Sequence, residues 1–242
     1  MGGIRSNQCF KVLFMRILLV NCNSTVAVTD RMVQVAMAVA APNTTVIGAT
    51  ASGAAIVRSH FEFAESAVQT VLALKEHAAE CDAAIIGGFG DPGLKAARHE
   101  VEIPVVGLAE AAMLMAHPLG GRYSIVTFGQ HNRMQMADLA RVYGLDQRLA
   151  SVRIADINHS SLLQDPTHAL EACVDAGQLA LSQDGADVLI LGGGPAAGMA
   201  NQVSARLDVP VLDSVMCATK LAESLAACGY KTSRTALYQP IG

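Results

Sequence analysis

The chain has 242 residues, of which 52% are hydrophobic, 16% charged and only 4% aromatic, with no Trp and a formal net charge of -4. Disorder needs low hydrophobicity with high charge, collagen needs a glycine period, and a nucleic-acid binder needs a basic surplus, so none of these classes fits. No apolar run reaches the roughly 18 residues of a membrane span, which leaves a soluble globular protein with no membrane or nucleic-acid partner.

Residues 1–15 read as an N-terminal extension. Lys11 and Arg16 interrupt the apolar stretch from Cys9 to Val20, and no small-residue cleavage site follows, which argues against a signal peptide. Beyond it, short Val- and Ile-rich runs that end in Gly or polar residues alternate with Ala-rich helical stretches, the pattern of a parallel sheet. The spacing predicts strand 16–21, helix 25–40, strand 44–48, helix 61–79, strand 82–87, helix 92–99, strand 104–107 and helix 110–117. The same series then recurs as strand 122–128, helix 131–143, strand 151–155, helix 167–183, strand 187–192, helix 197–206, strand 209–212 and helix 214–228.

The recurrence is visible in the residues themselves. Asp82-Ala-Ala-Ile-Ile-Gly-Gly88 matches Asp187-Val-Leu-Ile-Leu-Gly-Gly193 at an offset of 105, and Ile103-Pro-Val-Val106 matches Val209-Pro-Val-Leu212 at 106. Arg16-Ile-Leu-Leu-Val-Asn21 meets Arg122-Tyr-Ser-Ile-Val-Thr127, also at 106. A repeat this long, with several elements per copy, indicates two similar α/β domains and not a solenoid. The expected division is a first domain of 16–114 plus 214–242, onto which the last helix returns, and a second of 115–213. Each is expected to be a parallel-type sheet flanked by helices. The six cysteines are scattered, with no CxxC, which points to reduced thiols and a cytoplasmic location. Association into a homo-oligomer is a further expectation.

Ligands of such sheets sit beyond the carboxyl ends of the strands, so two facing copies place one small-molecule site in the cleft between them. The post-strand segments supply Asn21, Asn23, Ser24, Ser52, Gly53, Gly88, Phe89, Asp91 and Glu110 in the first copy, and Thr127, Phe128, His159, Gly193 and Gly194 in the second. Small, hydroxyl and amide residues before helices suit a carboxylate or imide, because N–H groups at a helix start complement negative charge. Asn23 and Ser24 equally suit plain helix caps, Asp91 a cap before Pro92, and Glu110 a helix-dipole partner. Gly88-Phe-Gly-Asp-Pro-Gly93 satisfies GxGxxG, but it follows the third strand of its copy and carries an acid where a pyrophosphate would sit, so no dinucleotide cofactor is expected. No Walker A, GxSxG or HExxH pattern occurs and the seven histidines lack metal-ligand spacing, so no metal is expected either.

At Ile85-Ile-Gly-Gly-Phe-Gly-Asp-Pro-Gly-Leu94 and Ile103-Pro-Val-Val-Gly-Leu-Ala-Glu-Ala-Ala112 the sequence resembles the Asp/Glu/hydantoin racemase superfamily, in particular its hydantoin and allantoin racemase branch. The resemblance runs from Asn21-Cys-Asn-Ser-Thr25 to the strand ending at Asp213 and the helix after it. It implies two pseudo-symmetric α/β domains, no cofactor, and a small carboxylate or ring imide held between them. It also implies a thiol at each of two strand ends, one removing a proton from the substrate carbon and one delivering a proton. Here those positions are Gly88 and, in a segment three residues longer than the family's, the glycines of Leu191-Gly-Gly-Gly-Pro-Ala-Ala-Gly-Met-Ala200.

Since each positioned acid or base contributes on the order of 10²- to 10⁴-fold, two missing thiols argue against racemisation at these positions. Glycines also make room for water. The expected activity is therefore hydrolysis of, or elimination from, a hydantoin-like or thiohydantoin-like ring or a related carboxylate, with Glu110 or Asp91 as the base for water. One alternative is a racemase or decarboxylase with a relocated acid or base such as Cys22, which stands where the family usually has Pro and which also fits a buried, inert cysteine. The other is a binding protein without catalysis. His159 is a candidate hydrogen-bonding group or proton donor, and Arg58, with His60, a partner for a substrate carboxylate.

Overall fold

The computed structural model describes residues 14–157 and 164–239, and His159 lies outside them. Each half is a four-stranded parallel sheet. The first is built from β1 (Met15–Asn21), β2 (Thr44–Thr50), β3 (Ala83–Gly87) and β4 (Val105–Gly107), in the order β2-β1-β3-β4. The second uses β5 (Tyr123–Thr127), β6 (Leu149–Ile154), β7 (Val188–Leu191) and β8 (Val211–Asp213), in the corresponding order β6-β5-β7-β8. The inner strands read as unbroken apolar runs because helices cover both faces; residues 17–20 and 83–86 are at most 1% exposed.

The helices are α1 (Val26–Val39), α2 (His60–His77), α3 (Leu94–Glu100) and α4 (Leu108–Ala116) in the first half. In the second they are α5 (Asn132–Tyr143), α6 (Pro166–Asp184), α7 (Ala200–Leu207) and α8 (Ser214–Ala227). Local chemistry sets their ends. A capping box of Ser59 and Glu62 opens α2, while Asp165 caps α6 ahead of Pro166. Gly144 and Gly185 close α5 and α6 in the left-handed region, at φ 69° and 70°.

The two halves share a core. Helix α8 leaves the second sheet and packs on β1, β3, α1 and α4, whereas α4 leaves the first sheet and reaches β7. The resulting cluster joins Ile17, Leu19, Ile85 and Val106 to Tyr123, Ile125, Val188 and Ile190. Burying each such side chain fully contributes about 1.5–3 kcal/mol, so this shared core resists separation of the halves. Among the described residues no helix is long and apolar enough to cross a membrane.

Candidate active site between the two halves

The loops at the carboxyl edges of both sheets enclose a cleft of about 250 Å³. Cys22, Asn23 and Thr25 line it from the β1–α1 loop, residues 55–59 from the β2–α2 loop, and Gly87, Gly88, Phe89, Gly90 and Pro92 from the β3–α3 loop. The second half contributes Thr127, Phe128, His131, Asn132 and Gln135, together with Gly192, Gly193, Gly194 and Pro195. Of the residues expected here, Asn23, Arg58, Gly88, Phe89, Thr127, Phe128, Gly193, Gly194 and Cys22 meet in the cleft. Asn21, Ser24, Ser52, Gly53, Asp91 and Glu110 are outside its lining.

Asn21 is fully buried and braces the loop from within. Its Nδ2 donates to Asn23 Oδ1 (3.1 Å), the Thr25 carbonyl (3.1 Å) and Thr29 Oγ1 (3.0 Å). Asn23 is no helix cap: its Oδ1 accepts from the Thr25 N–H (2.9 Å) one residue before α1, and the N-cap Thr25 makes no side-chain cap bond. The Ser24 and Thr25 hydroxyls donate to the carbonyls of Gly53 and Ala55, both at 2.9 Å, which ties this loop to the next. Gly53 thereby anchors the loop through its carbonyl, and Ser52 stands outside the cleft lining. Glu62 accepts from the Arg58 N–H (2.7 Å) as well as from Ser59, so the backbone of Arg58 is fixed at the rim. Among the described residues its guanidinium has no carboxylate within ion-pair distance.

The glycines leave less room than their size implies, because neighbours occupy the space. A Cβ built on Gly88 would fall 2.3 Å from Cys22 Sγ, one on Gly192 2.3 Å from the Phe89 ring, and one on Gly194 2.9 Å from both Met32 and Val28. A Cβ on Gly193 would meet the Phe128 ring at an ordinary 3.6 Å, but the backbone there has φ 120°, where an L side chain is strained. The expectation that the glycines admit a nucleophilic water is corrected on this point. Burial pushes the Cys22 thiol up to about 11, against the pull of the Ser66 hydroxyl, which also donates to the Cys22 carbonyl (2.7 Å).

Neither expected carboxylate base reaches the cleft lining. Asp91 is buried at φ 49°, and its carboxylate accepts from the N–H groups of Ala109 (3.0 Å) and Glu110 (2.9 Å) and from Tyr143 Oη (2.7 Å). It caps α4 from a distant loop and ties that helix to α5. Desolvation raises its pKa to about 6. Glu110 grips Arg98 in a bidentate pair, one arm at 3.0 Å, with side chains 17% and 22% exposed. Glu110→Gln is accordingly expected to cost about 1–3 kcal/mol in denaturant unfolding while leaving turnover within about threefold of wild type. A hundredfold loss of turnover at unchanged stability would contradict this placement.

His131, Asn132, Gln135, Phe63 and residues 55–57 are lining residues that the strand-end rule did not supply. His131 was within reach of it: the offset of 106 that pairs Asn21 with Thr127 also pairs Thr25 with His131 (131 − 25 = 106). Its ring lies over Gly129, with Cε1 2.8 Å from where a Cβ there would be. Phe63 and Gln135 come from within helices, and nothing in their local sequence marks them.

Residues 17–222 match the model of the Asp/Glu/hydantoin racemase family. The chain belongs to this family. It is 36% identical over 228 residues to the hydantoin racemase of Paenarthrobacter aurescens, a match spanning 93% of this chain and 97% of that protein. The allantoin racemase of Pseudomonas fluorescens superposes with a TM-score of 0.91 at 37% identity, over 94% of this chain and 97% of its own. That of Klebsiella pneumoniae gives 0.90 at 34% identity, over 94% of each chain. This family member is thus an enzyme of the racemase superfamily. The expectation of a hydrolase or a lyase is overturned, because full-length relatives at 34–37% identity are racemases.

Proposed function

We propose that this enzyme is a racemase that inverts the ring carbon of a hydantoin-type substrate, a class that includes allantoin. The observation carrying this reading is the near full-length likeness to hydantoin and allantoin racemases, in a chain with a cleft at the facing strand ends of both halves. The reacting carbon of a hydantoin lies between a ring carbonyl and a ring nitrogen. Losing its proton places charge on the carbonyl oxygen. The glycine-rich loops at residues 87–90 and 192–194 bring main chain to the cleft lining, and N–H dipoles aimed at a developing oxyanion are an effective stabilising device. Asn23, Thr127 and Asn132 supply the neutral polar contacts that a ring imide needs, while Phe63, Phe89 and Phe128 form apolar walls.

The test is polarimetry on enantiopure 5-substituted hydantoins and enantiopure allantoin, with chromatography of the ring. Decay of rotation with the ring intact is the expected result. A ring-opened product, or stable rotation across the panel, would refute the reading.

A further inference from the structure

We infer that Cys22 is a catalytic acid–base of this enzyme, acting from the β1–α1 loop in the space that a side chain at residue 88 would occupy, with His131 as its counterpart from the second half. The inference rests on the racemase reading and identifies its proton carriers.

Strands β1 and β3 are parallel neighbours, with Asn21 in register with Gly87, so residues 22 and 88 leave the sheet side by side. One volume at the cleft wall is therefore open to a side chain from either position. Gly88 vacates it and Cys22 takes it: the thiol sulfur stands 2.3 Å from the ideal Cβ of residue 88, and the Cys22 Cβ 3.0 Å from it. The glycine is required by the thiol. Of the five described cysteines, all unpaired, Cys22 alone lines the cleft.

The second half offers no matching thiol. The repeat pairs Cys22 with Phe128 (128 − 22 = 106), and side chains at 193 or 194 meet a strained φ or the Met32 and Val28 side chains. What that half places in the lining is an imidazole, His131, four residues after the end of β5. The other titratable side chain of the lining is the guanidinium of Arg58, which stays protonated. In one direction neutral His131 takes the proton from the ring carbon, the C–H electron pair passes into the ring enolate, and the Cys22 thiol delivers its proton to the opposite face. The enzyme is then thiolate and imidazolium, and the other enantiomer reverses the step. Both states hold the same number of protons, so no co-reactant is needed.

The experiment measures deuterium entry at the ring carbon of both hydantoin enantiomers in D₂O, with melting temperature, for wild type, Cys22→Ala, Cys22→Ser, His131→Gln and the double variant Cys22→Ala/Gly88→Cys. Cys22→Ala and Cys22→Ser are each expected to lose about 10²-fold or more of the exchange of the enantiomer that Cys22 deprotonates, and His131→Gln as much for the other enantiomer. The double variant should recover at least tenfold over Cys22→Ala, because it returns a thiol to the same volume from the other strand. Exchange of both enantiomers in folded Cys22→Ala or Cys22→Ser within threefold of wild type overturns the assignment alone. The same result for His131→Gln overturns its half of it. A wild-type enzyme that exchanges no hydantoin overturns the racemase reading and this inference with it.

Discussion

Gly107→Ala is expected to destabilise the protein by about 3–5 kcal/mol. The backbone of Gly107 is ordinary, at φ -88°, so the requirement is one of space. A Cβ there falls 2.3 Å from both Cγ and Oδ2 of Asp91 and 2.7 Å from Oδ1. The carboxylate cannot retreat without abandoning the N–H groups of Ala109 and Glu110 and the Tyr143 hydroxyl. For a chain of this size the loss corresponds to a fall in melting temperature of about 10 °C.

The second half shows how to relieve the clash. Asp213, the repeat mate of Gly107, supplies a carboxylate from the strand end, accepting from Val215 (2.9 Å) in its own helix and from Gly198 (2.6 Å) in the preceding loop. The double variant Asp91→Gly/Gly107→Asp copies that arrangement and also places glycine at the left-handed φ of residue 91. It is expected to recover more than half of the loss in guanidinium unfolding. A Gly107→Ala protein within about 1 kcal/mol of wild type would show that the Asp91 cap is dispensable.

The second large effect is on activity. Gly192→Ala places a methyl 2.3–2.8 Å from three atoms of the Phe89 ring, across the boundary between the halves. The ring is the end of a side chain and can turn away, but the space on its other side is the cleft that both residues line. Turnover per active site is therefore expected to fall about 10²-fold, with a stability change of no more than about 1–3 kcal/mol. Adding Phe89→Leu removes the clash and should restore most of the stability and part of the turnover. Steady-state kinetics beside thermal unfolding separates the two effects, and a fully active Gly192→Ala enzyme would contradict the packing described.

The fold was legible because its signals are local or repeated. Short apolar runs such as residues 17–20 and 83–86, ended by Gly or polar residues, read as strands covered on both faces, and the offset of 105–106 makes the second sheet a copy of the first. The cleft was legible to the same degree, since the strand-end rule supplied Asn23, Gly88, Thr127 and Gly193. It failed where direction matters. Asn21 and Ser24 flank the same loop, yet one points into the protein and the other to Gly53 on the outside, and sequence does not reveal that turn. It failed also for carboxylates whose partners lie elsewhere in the chain: Asp91 serves a helix that begins at Leu108, and Glu110 serves Arg98 on a different helix. The most consequential miss concerned Gly88. A glycine where relatives are expected to carry a thiol reads as a vacated position, with Cys22 only an alternative, and sequence does not reveal that the Cys22 sulfur stands 2.3 Å from where a Cβ of residue 88 would be.

On the proposed function this enzyme moves a proton at the ring carbon and leaves the ring closed. Proton NMR of one enantiopure 5-substituted hydantoin in D₂O tests it most directly, because a single spectrum follows the C–H signal and the integrity of the ring, with chiral chromatography of the same sample. The C–H signal is expected to disappear at least as fast as the enantiomeric excess decays, with no ring-opened acid. An enzyme that opens the ring, or that leaves both the C–H signal and the enantiomeric excess unchanged, would contradict it.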